Sequence, residues 1–313
     1  MMFLTVIVLV VPACYFVCRF LHSLKIDGYT EKYIFITGCD TGFGRELAIH
    51  LDSLGFNVFA GCLTKDGAQS LSAAASSRLT TVPLDITKPE SVQEALRLTQ
   101  QRLPKEKGIW ALVNNAGVLG NLSPLELCTR DDFTKVLTIN LLGPTETIRA
   151  FLPLVRKSKG RIVNITSAFG RFAGFGAPYC ASKFGLEGLT DVLRREVYHQ
   201  GIKVSIIEPG GFPTSIGKTM NDEIIDARDR ASPEVKKQYE LYLKQFTSLT
   251  ATATPTSSSL RPVIDAYTHA IVSRYPHTRY VVGTDARFVF IPLSYLPDWM
   301  SDLVLRLMAK FIS

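Results

Sequence analysis

The stretch "YIFITGCDTGFGREL", residues 33–47, decides how the rest of the chain is read. Five β-branched or aromatic residues in succession predict a buried strand. Glycines at 38, 42 and 44 follow at once, and from Arg45 the apolar residues recur at helical spacing until Gly55. A glycine-rich turn between a strand and a helix is a place for an anion. The free N–H groups and the dipole at the start of the helix favour negative charge, and Gly38, Gly42 and Gly44 let the backbone turn tightly and approach a pyrophosphate. The spacing is G-x-x-x-G-x-G, a variant of the usual dinucleotide fingerprint.

Working outward, short β-rich runs alternate with longer helical patterns. "NVFAGC", "LTTVPLD", "IWALVNNAG", "GRIVNITS" and "IKVSIIEPGG" read as five further strands, with helices at roughly 88–102, 130–157 and 179–199 between them. Such succession implies an α/β fold, a Rossmann-type doubly wound parallel sheet covered on both faces, with ligands at the carboxyl ends of the strands. The rhythm breaks after Pro213. A stretch at about 212–260 reads as one or two polar helices followed by the loop "TSLTATATPTSSSL", an excursion expected to act as a substrate lid. The closing segment "FVFIPLSYLPDWMSDLVLRLMAKFIS" is rich in apolar and aromatic residues and is expected on the core, along a lipophilic pocket or on a membrane surface.

With 313 residues, 46% of them hydrophobic, the chain can bury one large core. Its formal charge of +7 is spread as short pairs such as Arg156-Lys157 and Arg194-Arg195, without aromatic interleaving. Nucleic acid is therefore not an expected partner, and an acidic membrane surface is. The six cysteines, at 14, 18, 39, 62, 128 and 180, form no C-x-x-C pair. They read as small buried apolar residues, with neither a disulfide framework nor a metal site. The N-terminus "MMFLTVIVLVVPACYFVCRFLHSLK" has no charge before Arg19 and lacks the positive start of a cleaved signal peptide. Residues 1–25 are expected to be a membrane anchor, and the positive flank at Arg19 and Lys25 places the single domain, residues 26–313, on the cytosolic side. A buried N-terminal helix is the alternative. Asn164 in "NIT" and Asn121 in "NLSP" match the glycosylation pattern, but the first falls in an expected buried strand and the second is followed by Ser-Pro, so both are discounted.

"PYCASKFGLEGL", residues 178–189, places Tyr179 and Lys183 one helical turn apart, on one face with their polar tips close. That arrangement suits a proton-transfer pair. A phenol of ordinary pKa near 10 is a poor base at neutral pH, so a neighbouring positive charge is needed.

"TGCDTGFG", "LDIT", "NNAG", "TIN", "NITS", "YCASK" and "EPGG", in this order, resemble the short-chain dehydrogenase/reductase family over residues 33 to about 285. The resemblance implies that Tyr179 is the general acid/base, that Lys183 lowers its pKa and bonds the nicotinamide ribose, and that Ser167 holds the reacting oxygen. Asn140 would anchor a water that relays protons from Lys183. It further implies a cofactor site of Gly38, Asp40, Gly42, Phe43, Gly44, Asp85, Asn114, Ala116, Gly117, Pro209, Gly210 and Thr214, with Tyr179 and Lys183. Of these, Asp85 would contact adenine and Asn114 would tie the fourth strand to its neighbour.

An acidic residue at the end of the second strand would select NAD, but Cys62 or Leu63 stands there. Asp40 in the glycine turn would repel a 2′-phosphate, so the expected cofactor is NAD, with Lys65 the residue that leaves NADP open. "GRIVNITSAFGR" and "TRYVVGTDARFVFIPLSYLPDWMSD" resemble the branch that holds microsomal retinol dehydrogenases, related hydroxysteroid dehydrogenases and 3-hydroxybutyrate dehydrogenase. The apolar N-terminus favours the first two and the endoplasmic reticulum membrane. Phe169, Phe172 and Phe175 can wall a lipophilic pocket, whereas a small carboxylate would need a cation, for which Arg171 is the near candidate. A non-catalytic cofactor-binding membrane protein is the other alternative. A homodimer through 130–157 and 179–199 is implied by the resemblance alone.

Overall fold

In the computed structural model, which describes residues 2–217, 220–252 and 257–312, the chain opens with α1 (Met2–Ser23). It then alternates β1 (Tyr33–Thr37), α2 (Gly42–Ser53), β2 (Asn57–Cys62), α3 (Lys65–Ala73), β3 (Leu79–Pro83), α4 (Pro89–Arg102) and β4 (Ala111–Asn114). The second half runs α5 (Arg130–Leu137), a π-turn (Thr138–Leu142), α6 (Gly143–Lys157), β5 (Arg161–Ile165), α7 (Ala177–Glu196) and β6 (Lys203–Pro209). After α8 (Met220–Arg230), α9 (Pro233–Thr252) and α10 (Arg261–Val272) come β7 (Arg279–Val282), the single turn α11 (Ile291–Leu293) and α12 (Asp298–Ile312). The strands form one parallel sheet in the order β3-β2-β1-β4-β5-β6-β7. Its order reverses between β1 and β4, which opens a crevice at the carboxyl ends of the strands.

Both faces of the sheet are covered. Ile34 and Ile36 of β1 pack with Leu47 and Leu51 of α2 and Tyr267 and Ile271 of α10, while Phe35 points the other way onto Ile148, Phe151 and Val155 of α6. All three β1 residues are fully buried, which is why the strand reads as a continuous apolar run.

Several elements differ from the sequence reading. β7, α3 and α10 are additional to the segments expected; β7 has only four residues, of which only Val282 is buried, so no periodic signal marks it. The helix expected at 130–157 is interrupted by the π-turn, which precedes Pro144. Proline has no N–H and its ring clashes with the carbonyl four residues back, here that of Asn140. The expected loop after Phe246 is helical as far as Thr252. Threonine costs less than about 0.7 kcal/mol per helical residue, little for a helix already nucleated. Residues 253–256 of that loop lie outside the described residues. Cys14 and Cys18 are exposed, contrary to the expected burial, because α1 leaves the body of the domain; Cys39, Cys62 and Cys180 are buried. Asn164 and Asn121 are both buried.

Residues 12–20 of α1 are all exposed, which runs against a buried N-terminal helix. Among the described residues no helix is long and apolar enough to cross a membrane; the side chains of residues 1–11, nearly half of the expected anchor, lie outside the described residues. The end of α1 is fastened to the domain. His269 Nε2 lies 2.9 Å from the His22 carbonyl, and Ser273 Oγ donates to the same oxygen at 3.0 Å. Arg274 N donates to Leu24 O and Ile26 N to Val272 O, both at 2.8 Å, and His22 Nδ1 meets Tyr275 O. The His277 ring lies 3.7 Å from that of His22 and 5.3 Å from that of His269, centroid to centroid.

Candidate active site

The glycine turn is clamped to the end of β4. The Thr37 hydroxyl accepts the N–H groups of Asn115 and Ala116 at 3.0 Å each. Asn115 Nδ2 donates to Thr37 O and Gly38 O, also at 3.0 Å, and its Oδ1 accepts the Tyr267 hydroxyl at 3.2 Å. A Cβ on Gly44 would meet Gly38 O at 2.2 Å and Asn115 Nδ2 at 2.4 Å, so only glycine lets α2 start this close to the strand end. Gly42 has φ +62° and open space at its Cβ position, where the nearest atom is Thr214 Cβ at 3.8 Å. The first turn of α2 carries no acidic side chain. This side-chain-free cradle at a helix N-terminus fits a dinucleotide pyrophosphate. Phe43 packs edge-on against Phe212 at 5.8 Å, and the Thr41 and Ser215 hydroxyls meet at 2.8 Å, which brings the segment after β6 onto the turn.

Asp40 reaches from the turn to the end of β2. Its carboxylate accepts Leu63 N at 2.9 Å, Thr64 N at 2.8 Å and the Thr64 hydroxyl at 2.7 Å. Cys62 is buried beneath it and Leu63 is exposed. Asp85, beyond β3, turns its carboxylate back on Thr87 N at 3.0 Å and the Thr87 hydroxyl at 2.6 Å. The Thr87 hydroxyl bond is the main reason its pKa lies below the ordinary carboxylate value. Asn114 sits within the sheet and donates to Asn164 Oδ1 at 2.8 Å across β4 and β5.

The catalytic candidates converge at the ends of β5 and β6. α7 carries Tyr179 and Lys183 on its buried face. The Ser167 hydroxyl lies near enough to the Tyr179 phenol to favour its ionised form; its oxygen lies 3.5 Å from Pro209 O and accepts Phe169 N at 3.2 Å. Lys183 Nζ donates to Ile165 O at 3.2 Å and lies 5.6 Å from the centre of the Tyr179 ring. Burial pushes the phenol up to about 12, against the opposing Ser167 hydroxyl, and burial pulls Lys183 down to about 8, against the opposing charge of Glu187. Burial is thus the first cause acting on the phenol and it raises the pKa, the reverse of what spacing alone suggests. Asn140 is fully buried in the π-turn. Its amide is committed at both ends: Oδ1 accepts Val118 N at 2.9 Å, and Nδ2 donates to Val118 O at 2.9 Å and Ser182 Oγ at 3.0 Å. Gly117 lies against it and close to Lys183 Nζ.

The walls are apolar. Tyr179 packs with Leu122, Leu127, Ile224, Ala227 and Leu243, so α8 and α9 close over the phenol. Phe169, Phe175 and Phe290 add a ring cluster, with centroids 4.6 and 4.9 Å from that of Phe169. Arg171 donates to the buried Glu208 at 3.3 Å and to the Tyr295 hydroxyl at 2.5 Å.

Four positions around the site escaped the sequence reading. Asn115 and Tyr267 clamp the glycine turn, Asp285 accepts Gly211 N at 2.7 Å beside Pro209 and Gly210, and Glu187 lies one turn beyond Lys183. Helical spacing signals only the last of these, as the continuation of the Tyr179 and Lys183 face.

A model of the short chain dehydrogenase family matches residues 32–224. The chain is 44% identical to rat "Retinol dehydrogenase 7" over 295 residues, 92% of each chain. It is 42% identical to human "17-beta-hydroxysteroid dehydrogenase type 6" over 281 residues, 88% of each. Among solved structures, a short-chain dehydrogenase from Streptomyces avermitilis superposes with a TM-score of 0.71 at 26% identity, covering 90% of this chain and 95% of that one.

Proposed function

The chain belongs to the short chain dehydrogenase family and is a nicotinamide-dependent oxidoreductase, and on that premise we propose that it oxidises the carbinol of a retinoid or hydroxysteroid, with NAD as acceptor. The observation that carries the substrate class is the apolar enclosure of the Tyr179 phenol by Leu122, Ile224, Leu243, Phe169 and Phe175. The relatives named for retinol and a hydroxysteroid point the same way. Arg171, on which a small carboxylate would depend, has its guanidinium engaged by Glu208 and Tyr295, which weighs against 3-hydroxybutyrate.

NAD is favoured by Asp40. The turn residue takes the place of the missing acid of β2, and its charge at the end of that strand repels a 2′-phosphate. The dinucleotide, when bound, supplies the hydride acceptor. Gly38, Gly42, Phe43 and Gly44 would hold its pyrophosphate side, Asp85, Ala116 and Gly117 the crevice, and Pro209, Gly210 and Thr214 the nicotinamide end. Ser167 holds the substrate hydroxyl toward Tyr179, which takes its proton. Lys183 keeps positive charge beside the phenol, and Asn140 would anchor a water on the route out for the proton. Positioning accounts for much of the rate.

Residues 1–25 would anchor the enzyme in the endoplasmic reticulum membrane, with Tyr15, Phe16, Val17 and Phe20 exposed on α1 in support. Leu142, Phe184 and Val192, exposed on the helices at 130–157 and 179–199, support a homodimer.

The test is NADH formation, with NADP in parallel, by membrane fractions carrying the protein or its Tyr179→Phe variant, offered all-trans-retinol, an androstane diol and 3-hydroxybutyrate. Turnover of a lipophilic alcohol should fall by at least about 100-fold in the variant while NADH binding persists. Turnover of hydroxybutyrate alone would move the protein to the other branch. No turnover of any of the three alcohols above the background of the variant would leave a cofactor-binding protein without chemistry.

A further inference from the structure

Glu187 stands eight residues beyond Tyr179 and four beyond Lys183, so all three side chains issue from one face of α7. The first two are expected there; a carboxylate is not, since each of the three is more than nine-tenths buried and an ionised acid in such a place needs partners. Glu187 has them on both oxygens. Oε1 accepts the Thr166 hydroxyl at 2.6 Å. Oε2 accepts Arg279 Nη2 at 2.9 Å and Nε at 3.2 Å, the fork that an arginine offers a carboxylate.

Both sets of contacts lead to the reacting groups. Thr166 immediately precedes Ser167, and its own N–H is fixed to Ile207 O at 2.8 Å. The end of β5 is thus held at three consecutive residues: Ile165 by Lys183 Nζ, Thr166 by Glu187, and Ser167 through its hydroxyl, which accepts Phe169 N. Gly170, on the turn after Ser167, packs so closely that a Cβ there would lie 3.1 Å from Glu187 Cγ. Among the described residues no carboxylate lies in hydrogen-bond contact with Lys183, whose ammonium donates to the neutral Ile165 carbonyl. In an apolar site the charge that opposes its deprotonation is that of Glu187.

We propose that Glu187 is a positioning residue of the catalytic centre: its carboxylate keeps Lys183 cationic inside an apolar site and fixes the strand end that carries Ser167. The inference rests on the alcohol-oxidation reading for its purpose, though not for its test. The other charged and titratable groups facing this pair are Tyr179 and Asp191 on α7, Arg279 on β7, Glu208 on β6 and Arg171 after β5. Arg279 joins the acids: its Nη2 is 2.8 Å from Asp191 and its Nε 3.4 Å from Glu208. Glu208 is fully buried, with Oε2 unpartnered among the described residues. Burial first, then the charge of Glu187, raises it to about 7.

The experiment compares the full-length wild type with Glu187→Gln, which keeps the shape and removes the charge, and Glu187→Asp, which keeps the charge. Trace acetylation of Lys183 by acetic anhydride, followed by mass spectrometry across pH 6 to 11 as a roughly chosen range, reads the midpoint at which the ammonium becomes reactive. In Glu187→Gln that midpoint should fall by about one pH unit, a tenfold change in the ratio of amine to ammonium; in Glu187→Asp it should stay near the wild type. The descending limb of kcat/KM against pH for alcohol oxidation should move to lower pH by the same amount in Glu187→Gln. If loss of one charge prevents folding, Glu187→Gln is combined with Arg279→Met and compared with Arg279→Met alone, below which its midpoint should lie by about one pH unit. An unchanged midpoint in the charge-free variant, or an equal fall in Glu187→Asp, would overturn the inference. Acetylation needs no turnover, so a wild type inactive on every alcohol would count against the alcohol-oxidation reading and leave this result to stand or fall separately.

Discussion

In the proposed preference for NAD, Asp40 is the residue on which cofactor choice would turn. Its three hydrogen bonds bind the glycine turn to the end of β2, so a carboxylate stands where neither Cys62 nor Leu63 could supply one. Replacing Asp40 with Ser keeps a short acceptor and removes the charge. The ratio of kcat/KM with NADP to that with NAD should then rise at least about tenfold, equivalent to about 1.4 kcal/mol; an unchanged ratio would show that Asp40 serves only to shape the turn. Tyr179, Lys183 and the glycines are legible in the sequence because their roles follow from local spacing, one helical turn or one strand-to-helix corner. Glu187 lies in the same quoted motif, but a glutamate on a helix ordinarily faces water, and nothing local shows that Arg279, 92 residues later, will bury it. Nor does spacing show that burial would govern the Tyr179 phenol, since that depends on residues of the lid.

The proposed lid consists of α8 and α9, and the core it makes with the candidate site is small and private. Ile224, Ala227 and Leu243 close on Tyr179, Leu122 and Leu127, while the charge pairs that join α8 to α5, Lys135 with Glu223 and Arg230 with Asp132, are partly exposed and contribute little. Closure therefore depends on apolar contact. Leu243→Ala should weaken it by about 2 kcal/mol and raise the KM for a lipophilic alcohol more than tenfold, with the Kd for NADH unmoved. A matching loss of NADH binding would mean that the lid also shapes the cofactor crevice. The regular strands and helices are readable because two-residue and helical periods persist over enough residues. β7 is too short for that, and the π-turn around Asn140 follows from Pro144, whose effect on the helix before it is a steric matter that hydrophobic periodicity does not record.

Across the whole molecule, the candidate crevice lies at the carboxyl ends of the strands, and the N-terminal segment joins through His22 near the end of α1, His269 near the end of α10 and His277 beyond it. Burial first, then the neighbouring imidazoles, holds His269 and His277 below the ordinary histidine value, with Lys25 adding to this at His269 alone. A detached junction consequently takes up more protons as the pH drops. Its stabilisation is complete above about pH 6.5 and is lost as pH falls through the depressed values of the docked state. Limited proteolysis should cut residues 23–32 several-fold faster at a pH of about 5.5 than at about 7.5, while equal rates at both would show that these rings do not govern the junction. Five hydrogen bonds engage the segment from His22 to Ile26, and together they take the slack out of the connection. A flexible tether would let the enzyme tumble like a buoy on a chain. With the proposed anchor held in a membrane, this one would act as a mast step, and the bearing of α1 would set the compass heading of the whole body, and with it the direction in which the mouth of the substrate pocket points.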